Sequence, residues 1–249
     1  SPTVGYTMDA VYIRSGQANQ NSDPDQEVLV GYSGTPFRGL LEFDISDIPA
    51  SDNVDSVTLF LKTRDNAGGQ GTGIQYDLYE YGFDIDETTA TWAAPAVGDA
   101  DATDGGTLGT LLGSVTFDSV NQSAEVTFAD SAAFQTAIAN ALAGDGSVRL
   151  LIKATSETSG FARFADETWP DTTFRPKLTI QHTPSGPDLI APTLVSTDPV
   201  DNELNFFAGS NLVATFSEDI ALTTGGTITF TDLDDGSGDF TITLPDAQV

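Results

Sequence analysis

Residues 57–64 read Val57-Thr-Leu-Phe-Leu-Lys-Thr-Arg64, and residues 148–153 read Val148-Arg-Leu-Leu-Ile-Lys153. In the first, Leu59 and Leu61 share one face while Phe60, Lys62 and Arg64 share the other. In the second, Val148, Leu150 and Ile152 oppose Arg149, Leu151 and Lys153. A period of two is that of a strand with one buried face. Similar short runs, punctuated by Gly, Asp, Asn and Pro, recur at 9–14, 27–31, 39–43, 54–64, 74–81, 113–117, 124–128, 147–155, 160–165 and 177–182. About ten strands in roughly 180 residues predict an all-β fold, a β-sandwich or jelly roll. One short helix is expected at 131–143, where Phe134, Ile138 and Leu142 form a stripe. Asp130 or Ser131 would cap it, Gly144 would end it, and it would seal one end of the sandwich.

Composition removes whole classes of chemistry. The 249 residues include no Cys and one His, His182. That excludes disulfides, thiolate nucleophiles, Cys-ligated clusters and multi-His metal sites. Nine Lys and Arg against 37 Asp and Glu give a net charge of −28, which disfavours nucleic acid and anionic membrane surfaces as partners. No apolar run is long enough for a membrane span. Heavy Asp with few Lys also resembles the surface of proteins that work in high salt, such as those of marine bacteria.

The charge divides the chain. Residues 187–249 carry no Lys or Arg, and all nine cations lie between Arg14 and Lys177. The Pro- and Gly-containing stretch 184–190 reads as a linker, separating a domain at 1–183 from one at 191–249. The second has strand-like runs at 193–197, 212–216, 226–230 and 240–244. It looks like an immunoglobulin-like sandwich but falls short of the usual length of about 100 residues. An incomplete sandwich, open to self-association by strand addition, is the expectation.

Six blocks of the first domain occur in a recognisable order: Asp9-Ala-Val-Tyr-Ile-Arg-Ser-Gly16, Val28-Leu-Val-Gly31, Phe37-Arg-Gly-Leu-Leu-Glu-Phe-Asp-Ile45 with Ile48-Pro49, Thr88-Thr-Ala-Thr-Trp92, Phe164-Ala-Asp-Glu167 and Arg175-Pro-Lys-Leu-Thr-Ile180. Over residues 8–182 this order resembles the DNRLRE domain family, which overlaps a carbohydrate-binding module family of secreted bacterial proteins. The resemblance implies a jelly roll that accompanies polysaccharide lyases and hydrolases, with alginate-type polysaccharide as a ligand class. Ala191-Pro-Thr-Leu-Val-Ser-Thr-Asp-Pro199 and Leu212-Val-Ala-Thr-Phe-Ser-Glu218 resemble the bacterial Ig-like domain of surface and S-layer proteins.

The scarce cations sit on strands, opposite the more continuous apolar rows. One reading is a positive stripe of Lys62, Arg64, Arg149, Lys153 and Arg163, flanked by Phe60, Tyr79, Phe161 or Trp169. It would clamp carboxylated or sulfated sugars through bidentate Arg contacts and aromatic stacking. The other reading is ordinary solvated strand faces or internal ion pairs. Trp92 is expected in the core, and Trp169, in a turn, is the better binding residue. Acidic loops offer a structural Ca²⁺ site, with Asp23 and Asp25, or Asp99, Asp101 and Asp104, as ligands. No motif points to catalysis, and His182, beside the linker, is a poor general base. The sequence therefore predicts a secreted or surface-attached, non-catalytic module for an acidic, alginate-like or other algal polysaccharide. A structural or adhesive filament subunit is the alternative.

Overall fold

A computed structural model describes residues 2–65, 68–99, 105–185, 192–198, 213–217, 227–230 and 240–243. The chain forms two compact units, Ser1–Gly186 and Pro187–Val249. Most of the expected linker lies outside the described residues.

The first unit is built on a long opening strand, β1 (Pro2–Arg14). Its first half pairs with β11 (Lys177–Thr183) and its second half with β3 (Pro36–Asp44), across a register shift between Thr7 and Asp9. Such a break lets one strand bend from one sheet into the other. Beyond β11 lie β4 (Asn53–Lys62) and the edge strand β8 (Glu125–Phe128). Beyond β3 lies β9 (Ser147–Ala154), then β6 (Ile74–Glu80) and β7 (Leu111–Phe117). The end of β3 also pairs with β2 (Glu27–Tyr32), which leads to β10 (Gly160–Ala165) and the short β5 (Gly69–Gln70). All of these pairings are antiparallel, and the unit is an all-β sandwich with a single α-helix among the described residues.

The inward rows are the ones the alternation marks. Val57, Leu59 and Leu61 of β4 and Leu178 and Ile180 of β11 share one core with Leu41, Phe43, Leu150, Ile152, Tyr76 and Phe164. Helix α1 (Ala132–Ala143) buries Phe134, Ala137, Ile138 and Leu142 against that core. Ser131 is its cap, accepting from the Phe134 N–H at 3.0 Å, which satisfies one of the free amides of the first turn. Asp130 instead accepts from the Val57 N–H at 2.8 Å.

One face departs from expectation. Arg38, Leu40, Glu42, Arg149, Leu151 and Lys153 point away from the main core, where an open charged stripe was anticipated. Leu40 and Leu151 are fully buried there. With Val11 and Ile13 they floor a second core, roofed by Tyr81, Ile85, Ala90 and Trp92 from the segment after β6. The roof is pinned by polar bonds: Asn21 Nδ2 donates to the Ala90 carbonyl at 2.9 Å, and Ala93 N–H to the Ala18 carbonyl at 2.8 Å. Trp92 is buried in this second core.

In the second unit, β12 (Leu194–Asp198) pairs antiparallel with β13 (Val213–Phe216), and β14 (Thr227–Phe230) with β15 (Phe240–Thr243). Expected strand ends at Leu212, Gly226 and Leu244 lie outside the described residues. No described helix is long and apolar enough to cross a membrane.

Candidate functional site

The outer face of β4 alternates as the sequence requires: Phe60, Lys62 and Arg64 stand two residues apart, about 6–7 Å per step along a strand. Register supplies their neighbours. Lys177 of β11 lies directly opposite Phe60, and its Nζ sits 5.6 Å from the ring centroid. Lys62 Nζ lies 4.4 Å over the Phe174 ring, and the Arg64 guanidinium 4.7 Å over Trp169. A bridge between Thr63 and Phe164 carries the line across to β10, where the Arg64 N–H donates to the Arg163 carbonyl. Arg163 in turn lies 5.6 Å over Phe161. The result is a row of four cations, each resting on an aromatic ring.

The rings are held by their own packing. Trp169 and Phe174 form a small cluster with Ala165. Asp171 caps the short turn Thr172–Phe174 by accepting from the Thr173 N–H, and Arg175 Nε donates to the Trp169 carbonyl at 2.8 Å. Each ring contributes about 0.5–1 kcal/mol of attraction to its cation. Trp169 is only 8% exposed. The indole is the support beneath Arg64.

The row is partly neutralised. Glu27 is paired with Arg64 at close range and with Arg163 at 3.5 Å, and Glu125, opposite Lys62 on β8, reaches its Nζ at 3.1 Å. The Arg163 side chain is 35% exposed against 18% for Arg64. It also borders a cleft of about 350 Å³ lined by Gly68, Gly69, Gln70, Val120, Gln122 and Phe161. Of the nine cations in the chain, Lys62, Arg64, Arg163, Arg175 and Lys177 lie on or beside this face.

Of the predicted set, the structure thus brings together Lys62, Arg64, Arg163 and Trp169. Arg149 and Lys153 belong elsewhere. Arg149 is held by Glu42, Asp84 and Asp145 at 2.9–3.1 Å. Lys153 reaches Glu157, which Arg38 grips with two nitrogens at 2.8 and 3.0 Å while stacking on Trp92. Sequence reading left out Lys177 as a site residue, and Phe174 altogether. Lys177 was legible as a charge opposite Leu178, but its place beside Phe60 depends on register.

Two of the carboxylates expected as Ca²⁺ ligands, Asp25 and Asp99, are engaged by protein donors. Asp25 accepts from Tyr12 Oη at 2.6 Å. Asp99 is buried and accepts from Tyr81 Oη at 2.7 Å and from both the N–H and hydroxyl of Thr107. Asp101 and Asp104 lie outside the described residues. Among the described residues no three acidic or histidine side chains are grouped to hold a metal ion. A looser acidic neighbourhood exists instead. Burial, then the charges of Glu42, Asp86, Asp84 and Asp23, pushes the Asp9 carboxyl up to about 6. Burial, with Asp166, Glu87 and Asp23 adding, pushes Glu167 up to about 8. Glu87 and Asp166 are raised for the same reason, burial first.

No curated protein matches the chain. No family model of the DNRLRE or carbohydrate-binding-module kind is found for the first unit. Residues 188–248, nearly the whole of the second unit, match the family model described as a bacterial Ig-like domain, so that this unit is similar to the bacterial Ig-like domains.

Proposed function

We propose that the first unit is a non-catalytic polysaccharide-binding module, of the DNRLRE and carbohydrate-binding-module kind, that takes an acidic, alginate-like or other algal polysaccharide along Lys177, Lys62, Arg64 and Arg163. The observation that carries this reading is the row of four ring-backed cations. Guanidinium and ammonium groups already placed over rings lose less freedom when an anion arrives. A polyanion meeting them in line neutralises several at once. The remote negative charge opposes this weakly, since the Debye length is about 8 Å at physiological ionic strength. The Ig-like unit fits a place on a secreted or surface-attached bacterial protein. There the module raises the local concentration of its carrier on the polymer rather than lowering a chemical barrier.

Affinity electrophoresis tests this. Gels containing alginate or pectin are expected to retard the chain, gels with a neutral glucan to leave it unretarded, and Lys62→Ala with Lys177→Ala to reduce the retardation. Migration unchanged by every acidic polymer would overturn the reading.

A further inference from the structure

We infer that the cleft beside the paired strands β5 and β10, bordered on its other side by Val120 and Gln122, is the anchoring subsite of the row, shaped for one carboxylated pyranose residue. This deepens the polysaccharide reading and rests on it. Arg163 presents a planar fork of donors, and Glu27, its one acidic partner among the described residues, stands 3.5 Å away and is more closely engaged by Arg64. Donors therefore remain for an incoming acceptor. The guanidinium lies 5.6 Å from the centroid of the Phe161 ring, and its fork can meet both oxygens of a carboxylate at once.

The rest of the lining matches the rest of such a sugar. Gln70 and Gln122 are exposed and line the cleft from two segments, and an amide both donates to and accepts from hydroxyls. Val120, 49% exposed, offers an apolar contact for the C–H face of a pyranose. One wall is Gly68 and Gly69. A Cβ at Gly68 would overlap the Asn121 carbonyl, and one at Gly69, whose φ is +129°, would overlap the Phe161 carbonyl. Backbone packing thus keeps that wall free of side chains and the cleft open. Its volume of about 350 Å³ is at the small end of ligand pockets, in keeping with a subsite for a single residue rather than a long groove.

Calorimetry on the full chain, with a tri-uronate as probe, tests the assignment. Arg163→Gln and Arg163→Lys are each expected to weaken tri-uronate binding by about tenfold or more, equivalent to about 1.4 kcal/mol. Gln70→Ala with Gln122→Ala is expected to weaken it severalfold. Arg163→Lys keeps the charge and stem, so it answers the question if Arg163→Gln does not fold. Undiminished tri-uronate binding by the Lys variant overturns the subsite. Retardation by alginate without tri-uronate binding overturns the subsite alone. Absence of both overturns the polysaccharide reading itself.

Discussion

Leu151→Ala is expected to cost the first unit about 3 kcal/mol, as much as Leu150→Ala on the opposite face of the same strand. A half-exposed sheet would not behave so. On an open face the substitution would cost well under 1 kcal/mol, because surface changes seldom exceed about 0.5 kcal/mol. Here both residues are fully buried, Leu150 in the main core and Leu151 beneath Tyr81, Ile85 and Trp92. Removing the Leu151 side chain leaves a void between the sheet and its roof, and the roof is pinned too firmly by Asn21 and Ala93 to sink into it. The chain holds two tryptophans, Trp92 and Trp169. Both lie in this unit, so tryptophan fluorescence during urea unfolding reports on it alone. Equal shifts in midpoint for the two variants are expected, and a neutral Leu151→Ala would contradict the second core.

Glu167→Gln is expected to stabilise the chain at alkaline pH by about 2 kcal/mol and to change little at pH 4.5. The Glu167 carboxyl is pushed up to about 8, chiefly by burial, and its Oε2 is buried without a hydrogen-bond partner. In the unfolded chain it titrates in the ordinary range, near 4.3. Between these values the folded chain binds more protons than the unfolded chain, so stability falls as the pH rises from about 4.5 to 8 and levels off above that. Asp9, pushed up to about 6, adds to the fall between about 4 and 6. Each unit of displacement corresponds to about 1.4 kcal/mol, discounted here by more than half because Glu167 retains some contact with water. A gain of 2 kcal/mol corresponds to a rise of roughly 4–8 °C in melting temperature for a unit of this size. Melting at pH 5 and pH 8.5 checks both parts. A wild-type midpoint that does not fall between them, or a glutamine variant that falls as steeply, would contradict the account.

The strands were legible in the sequence because the inner rows repeat every second residue, as in Val148, Leu150 and Ile152. The helix was legible because Phe134, Ile138 and Leu142 repeat at its own period. Leu151 was misread, since one leucine among Arg149 and Lys153 becomes core only when a distant segment bearing Trp92 folds over it. Nothing within β9 signals that. The binding row divides the same way. Phe60, Lys62 and Arg64 share a face by alternation, which the local sequence states. That Lys177 falls beside Phe60, and Arg163 beside Arg64, is set by the register of β11 and β10 against β4. Trp169 was placed in a turn, where no periodicity tells buried from exposed, and its contact with Arg64 decided the matter.

Where an acidic polysaccharide lands is the central question, and an NMR titration of the full chain with a short oligo-uronate answers it most directly. The account predicts that shift changes concentrate on the Arg64 and Arg163 side-chain N–H signals, the Trp169 indole N–H and the amides of Lys62 and Lys177. The Trp92 indole and the amides of Arg149 and Lys153 are expected to stay in place. Changes centred on Arg149 and Lys153, or on the second unit, would contradict it.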